Sequence, residues 1–239
     1  MCNDDIIDQG LRASELGMYA TNRCFDYIPL GYTQKYPVIE LHQTQCHVLT
    51  NADTTTIVFP GTNITEAEDI RLDFKKRYDP TVKEFGIFEG VNIGLNYVYT
   101  EIRDVLETAP YKNKPIKIFG HSLGGGFATE LARRLTYVDC VHTFGAFKLY
   151  DSRGCVAYPH HSRHFTWVNC SDLVSRYPLR RFKEDHVGTM LYMQRNDTLI
   201  INPSESLYWF DYFTSPIVRA LEHPIKRYYE RIGKIKSVR

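Results

Sequence analysis

A mostly parallel β-sheet with helices on both faces is the fold class this sequence predicts, as a single α/β domain over residues 1–239. Two observations carry the expectation. Strand-like and helix-like segments alternate along the chain, the pattern of parallel strands joined by crossover helices. One short apolar strand, residues 116–120, also runs straight into Gly120-His121-Ser122-Leu123-Gly124 and then into a helical segment, Phe127-Ala128-Thr129-Glu130-Leu131-Ala132.

The elements follow in order. Ile6, Ile7, Leu11, Leu16 and Tyr19 give residues 5–20 the spacing of an amphipathic helix. Residues 38–41 and 45–50 read as short strands. Residues 55–59 form a β-branched strand that ends at Pro60-Gly61, and the stretch 62–85 is polar and irregular. Val91, Leu95, Val98, Tyr99, Ile102 and Leu106 predict a helix over 91–106, and a turn-rich linker over 108–115 leads to the 116–120 strand. The helix after Ser122 is expected to reach about Leu135, and residues 141–144 and 165–168 are further strands. Near the end, Ile225, Tyr228, Tyr229, Ile232 and Ile235 share one face amid Lys226, Arg227, Arg231, Lys234, Lys236 and Arg239. The preferred reading is a last helix packed on the sheet with a basic tail. The other is a peripheral contact with anionic lipid through this basic segment.

Composition narrows the function classes. Hydrophobic residues make up 43% and charged residues 24%, ordinary for a globular protein with a sizeable core. A net charge of +1 supplies no field that would draw nucleic acid. The 17 Tyr and 13 Phe can line an apolar pocket as well as fill a core. Six cysteines, at 2, 24, 46, 140, 155 and 170, include no C-x-x-C pair. His160, His161 and His164 cluster, but nothing near them completes a metal site, so no metal and no cofactor are expected. No apolar run approaches the length of a membrane span. The acidic start lacks the basic and apolar regions of a secretory signal, so an intracellular location is expected, and the sequons at Asn63, Asn169 and Asn196 then carry no meaning.

The strand–turn–helix context around Ser122 is that of a G-x-S-x-G nucleophile elbow, in which a strained turn lifts the serine oxygen clear of the sheet at the positive end of a helix. A hydroxyl needs a base to take its proton and a third group to orient that base. The order expected for such a sheet is serine, acid, histidine. Asp172 is the preferred acid because it follows the strand His164–Val168 at the edge where active-site loops gather. Asp151 is its main rival, and Asp185, Asp197 and Asp211 also compete. Beyond Asp172 stand only His186 and His223, and position near the C-terminus favours His223 as the base. An oxyanion hole would take the N–H of Leu123 and, from the loop Pro60-Gly61-Thr62-Asn63, the N–H and hydroxyl of Thr62.

Taken together, these segments resemble the fungal-type class 3 lipases, over roughly residues 55–230. Val58-Phe59-Pro60-Gly61-Thr62-Asn63 is similar to that family's V-F-R-G-T-N strand, with Pro60 for the arginine. Gly120-His121-Ser122-Leu123-Gly124-Gly125 matches its G-H-S-L-G-G elbow. Thr143-Phe144-Gly145-Ala146 matches the start of T-F-G-A-P, with Phe147 at the proline. Val168-Asn169, Asp172, Val174 and Pro178 follow the segment that carries the acid, with Ser175 at its first proline. His186-Val187-Gly188 resembles a non-catalytic H-x-G segment, and Glu222-His223 with Tyr228 and Tyr229 resembles the terminal D-H-x-x-Y. Two further segments depart more widely from the pattern. The lid region 64–70 is acidic with little apolar face, and Asn92 stands where V-H-x-G-F has its histidine, so packing below the site is expected to differ.

The resemblance implies an α/β-hydrolase fold and ester hydrolysis by Ser122, Asp172 and His223, with Thr62 and Leu123 as oxyanion donors. A triacylglycerol lipase or esterase working through an acyl-enzyme on Ser122 is the expected activity, with a lipid or small ester as partner. A phospholipase or thioesterase with the same residues, or an inactive binding module, is the alternative.

Overall fold

Strands covered on both faces tend to be unbroken runs of apolar and β-branched residues, and residues 55–59, Thr-Thr-Ile-Val-Phe, are such a run in this sheet. The computed structural model describes residues 3–23, 26–42, 44–61, 78–178, 185–214 and 222–237, apart from the side chains of residues 3, 4 and 212. Among them, β1 (Gln34–Lys35) and β2 (Ile39–Leu41) flank β3 (Thr44–Thr50), which pairs antiparallel with β4 (Thr55–Phe59). β5 (Ile116–His121), β6 (Cys140–Phe144), β7 (His164–Asn169) and β8 (Thr189–Met193) then add to β4 in sequence, all parallel. β9 (Leu199–Ile201) closes the far edge antiparallel to β8. Every residue of β4, β6 and β7 is buried. The register sets Phe59 beside Gly120, His121 beside Phe144 and Phe144 beside Trp167, so the C-terminal ends of four strands meet at one edge.

Helices cover both faces. α1 (Asn3–Thr21) and, at the other end of the chain, α6 (Ile225–Ser237) pack together over Phe144, Phe165, Trp167 and Leu191. α2 (Glu89–Leu106) and α3 (Leu123–Arg134) cover Ile57, Ile118 and Val141 on the opposite face. α2 buries Val91, Leu95, Val98 and Ile102, the stripe its spacing predicts. α3 buries every residue from Gly124 to Ala132, including Glu130, whose carboxylate accepts from Arg133, Arg134 and the Tyr150 hydroxyl. Two short helices, α4 (Ser152–Ala157) and α5 (Glu205–Thr214), are also among the described residues.

The expected elements agree with these to within two residues at their ends. Of the polar stretch 62–85, residues 62–77 lie outside the described residues. β1, α4, β8, β9 and α5 are elements that the residue spacing does not predict. Their reasons differ. β1 and α4 are too short for a periodic signal, whereas Thr-Met-Leu-Tyr-Met in β8 is a brief apolar run in which helix and strand look alike.

α6 follows the packed alternative. Ile225, Tyr228, Ile232 and Ile235 are buried in the core that α1 shares, while Lys236 reaches Asp8 at 2.7 Å. Among the described residues, no helix is long and apolar enough to cross a membrane.

Two measurements check this packing. Truncating a fully buried isoleucine removes its transfer energy and leaves a cavity, so Ile232→Ala is expected to destabilise the protein by about 2–5 kcal/mol in urea titration. The second concerns histidines. Burial, the first cause in each case, pushes His121 and His142 down to about 3 and His47 and His186 down to about 4, and it lowers His164 well below its ordinary value. These rings stay neutral in the folded chain, while the unfolded chain protonates them near pH 6.5. Their contribution to stability is therefore complete above pH 6.5 and is lost as pH falls from there towards 3. Thermal unfolding at pH 7.5 and pH 4.5 is expected to show a Tm lower by about 10 °C or more at the acid value.

Candidate active site

β5 ends at His121 and α3 begins at Leu123, so one residue turns the chain from strand to helix. That residue, Ser122, has φ 55° and ψ −123°, a positive-φ conformation outside the regions that residues with a side chain prefer. Such a conformation costs about 1–3 kcal/mol and persists only where its surroundings over-determine it. Here the Ser122 N–H donates to the Phe144 carbonyl at 2.9 Å, and the Ser122 carbonyl accepts from the Gly125 N–H at 3.0 Å. Close approach does the rest. A Cβ on Gly124 would fall 2.4 Å from the carbonyl oxygens of Phe59 and Pro60, so only glycine lets the elbow press against the end of β4.

The Ser122 hydroxyl lies 2.8 Å from Nε2 of His223, and Nδ1 of His223 lies 2.9 Å from Oδ2 of Asp172. An ionised carboxylate only accepts, so Nδ1 carries the ring proton and Nε2 presents its lone pair to the serine hydroxyl. Asp172 is wholly buried, two residues beyond the Cys170 turn at the end of β7. Its Oδ2 also accepts from the Tyr228 hydroxyl at 2.7 Å, and its Oδ1 accepts from the Val174 N–H at 2.8 Å. Burial alone would push this carboxyl up. The neighbouring His223, the bonds from His223 and Tyr228 and the Val174 N–H together hold it below the ordinary carboxylate value. Tyr228 is pushed well above its ordinary value, first by burial and then by the Asp172 charge, so its hydroxyl remains a donor.

Further contacts hold the loop that bears His223. The Asn169 side-chain amide donates to the Glu222 carbonyl at 2.7 Å, and His121 Nε2 donates to the His223 carbonyl at 2.8 Å. Arg231 in α6 reaches Asn169, Asp197 and the Gln194 carbonyl. Arg176, fully buried, donates to the carbonyls of Cys170 and Tyr208 and so ties the turn before Asp172 to α5. Gly145, at φ 57°, lies under the carboxylate; a Cβ there would stand 2.7 Å from Asp172 Oδ2 and 3.1 Å from His223 Cε1.

The competing residues are engaged elsewhere. Asp151 caps α4, accepting from the Gly154 N–H at 2.9 Å. Asp185 accepts from the His186 N–H, Asp197 from Arg231, and Asp211 from Tyr192 and Gln194. His186 donates to the Ser175 carbonyl at 2.7 Å and touches none of the three residues. Among the described residues, no group of three or more His, Cys, Asp or Glu is placed to hold a metal ion.

Leu123 opens α3, so its N–H is one of the first-turn donors that have no partner within the helix. Thr62, the other expected oxyanion donor, lies outside the described residues, as does the acidic segment 64–70. Gly61, just before it, is described and stands against the ring of His121.

The departures noted in the sequence have visible consequences. Ser175, at the position of a family proline, donates from its hydroxyl to the Asp172 carbonyl at 3.0 Å. Asn92, at the position of a histidine, donates to Asp79 at 2.7 Å and accepts from Arg134 at 2.6 Å, linking α2, α3 and the chain before α2. Sequence reasoning gave no role to Tyr228, Asn169, Gly145 or His121. Each falls in a family-like motif, but nothing in its local spacing announces a contact with residues some 20 to 100 positions away.

A serine hydroxyl facing an imidazole nitrogen, with a carboxylate behind the ring, is the arrangement that makes the oxygen a nucleophile. The sequence model of the family described as lipase (class 3) matches residues 56–182. No curated protein sequence matches the chain. In three dimensions it is similar to Rhizomucor miehei triacylglyceride lipase (TM-score 0.70, 17% identity, 93% of this chain and 94% of that one). It is similar also to a triacylglycerol lipase from Penicillium expansum (0.65, 18%, 85% and 86%). A third similar structure is a triacylglycerol lipase whose catalytic centre is a serine protease triad (0.68, 18%, 93% and 94%). At these identities the likeness is one of fold, the α/β-hydrolase fold, and the match over 56–182 covers more than half of the 239 residues. The chain belongs to the class 3 lipase family.

Proposed function

We propose that this chain hydrolyses carboxylic esters through an acyl-enzyme on Ser122, with Ser122, His223 and Asp172 as its catalytic triad and triacylglycerols as its substrate class. The observation that carries the reading is the unbroken chain of hydrogen bonds from Ser122 Oγ through both nitrogens of His223 to Asp172.

His223 Nε2 takes the hydroxyl proton as Ser122 Oγ attacks the ester carbonyl. Asp172 holds the ring in the required tautomer and stabilises the imidazolium without taking the proton. The tetrahedral oxyanion is met by the Leu123 N–H and by Thr62, each donor supplying about 3–4 kcal/mol at the transition state. The ester C–O bond breaks, His223 protonates the leaving alkoxide, and the alcohol departs. Water, deprotonated by His223, then attacks the acyl-enzyme, releases the acid and regenerates Ser122. The lipid class of the substrate rests on family membership and on the similar triacylglycerol lipases. A peripheral contact of α6 with anionic lipid would rest on charges such as Lys226, because its apolar residues are committed to the core.

Three outcomes are expected. Ser122→Ala lowers turnover of p-nitrophenyl esters by about 10⁴-fold or more with an unchanged melting curve, and undiminished turnover would overturn the assignment. A fluorophosphonate probe labels the native chain but not Ser122→Ala; an unlabelled native chain would instead mark an inactive binding module. Asp172→Asn, which favours the wrong tautomer of His223, lowers kcat by about 10³–10⁴-fold. Hydrolysis of triacylglycerols, phospholipids and acyl thioesters of equal chain length then separates the substrate classes.

A further inference from the structure

Resting on the function proposed above, we propose that His121, the residue before the serine, is a positioning residue that braces the backbone of His223 against the end of β4 and so sets the height of the base over Ser122. His121 is the last residue of β5, buried, and its ring lies between two parts of the site that are far apart in the chain.

On one side its Nε2 meets the His223 carbonyl at 2.8 Å. A carbonyl only accepts, so Nε2 carries the proton and Nδ1 is left with a bare lone pair. Among the described residues, that Nδ1 is buried without a hydrogen-bond partner. On the other side the ring stands directly against Gly61, where a Cβ would fall 2.2 Å from Nδ1. The residue after Gly61 is the expected oxyanion donor Thr62. One imidazole thus fills the gap between the strand end that leads to the oxyanion loop and the loop that carries the base.

The contact matters because His223 lies outside any regular element, and the hydrogen bonds of its ring go to Asp172 and to Ser122, the group it must serve. Two bonds to the backbone, from Asn169 to Glu222 and from His121 to His223, fix where that ring starts. The rings of His121 and His223 lie 4.9 Å apart with planes 32° apart, and the Tyr228 ring lies 6.3 Å from that of His121. Burial first, then the proximity of His223, pushes His121 down to about 3, so it stays neutral when His223 becomes an imidazolium. A second cation at that separation would oppose the proton transfer; a neutral donor to the carbonyl does not.

The test compares substitutions that keep or remove the donor at the place of Nε2. Glutamine carries an amide N–H at that reach, asparagine stops short of it, and phenylalanine and leucine fill space without a donor. For folded His121→Phe and His121→Leu we expect kcat on p-nitrophenyl esters to fall about 10- to 100-fold, with KM within twofold and a matching fall in the rate of fluorophosphonate labelling. His121→Gln recovers kcat to within about threefold. If the apolar variants do not fold, His121→Asn against His121→Gln decides in the same way, with Asn low and Gln high. A folded variant without the donor that keeps native kcat, or a Gln variant as impaired as Asn or Phe, would overturn the bracing role. Ser122→Ala is measured alongside. If it is inactive and the His121 variants are unimpaired, only this inference fails; if it retains turnover, the proposed function itself fails.

Discussion

A carboxylate with no solvent contact is the constraint on which the rest of this structure depends. Asp172 is fully buried, and an ionised group in that position is tolerated only when its oxygens are met by donors. Three elements supply them: the His223 loop, the hydroxyl of Tyr228 from α6, and the backbone of the turn at Val174. The last helix therefore has a second task beyond covering apolar surface. Its Tyr228 must be docked for the charge on Asp172 to be satisfied, and the apolar face of Ile225, Ile232 and Ile235 is what docks it. Stability and site geometry are coupled through one side chain. Gly145 belongs to the same constraint, because any side chain there would meet the carboxylate it underlies.

The serine obeys a different rule. Its oxygen is held out by a backbone conformation that its own residue disfavours, and two hydrogen bonds and the near contact at Gly124 keep it there. The cost is local and the support comes from β4 and β6, the neighbouring strands on either side of β5. A parallel sheet suits this arrangement. Strand ends that carry Phe59, His121, Phe144 and Asn169 share one edge, so short loops from separate strands reach one another without long excursions.

Membership of the class 3 lipase family holds while several of its familiar positions are rewritten. Ser175 replaces a proline and returns a hydrogen bond to the backbone of the acid residue. Asn92 replaces a histidine and joins a buried polar network with Asp79, Arg134 and Glu130, which keeps α2 and α3 in step. In both cases the substituted side chain satisfies neighbours rather than leaving a void, so the fold survives at 17% identity to Rhizomucor miehei triacylglyceride lipase. Phe147, at another family proline, joins the core beside Phe88 with rings 5.3 Å apart.

The class of fold, the strand–turn–helix at Ser122 and the chain order in which an acid and a histidine should follow are all legible in the amino-acid order. Hydrophobic periodicity and turn chemistry are local, and β4, α2, β5 and α3 are long enough to display them. The amino-acid order also ranks Asp172 over Asp151 and His223 over His186, and tertiary structure brings the preferred pair to Ser122 while it sets Asp151 to capping a helix and His186 to a backbone carbonyl. The folded arrangement alone reveals that Tyr228 and Val174 complete the shell of Asp172 and that His121 touches the backbone of His223. Those contacts join residues up to about a hundred positions apart. A distance in space between such residues leaves no period and no spacing in the chain, because it arises from how whole strands and helices stack, which local sequence does not encode.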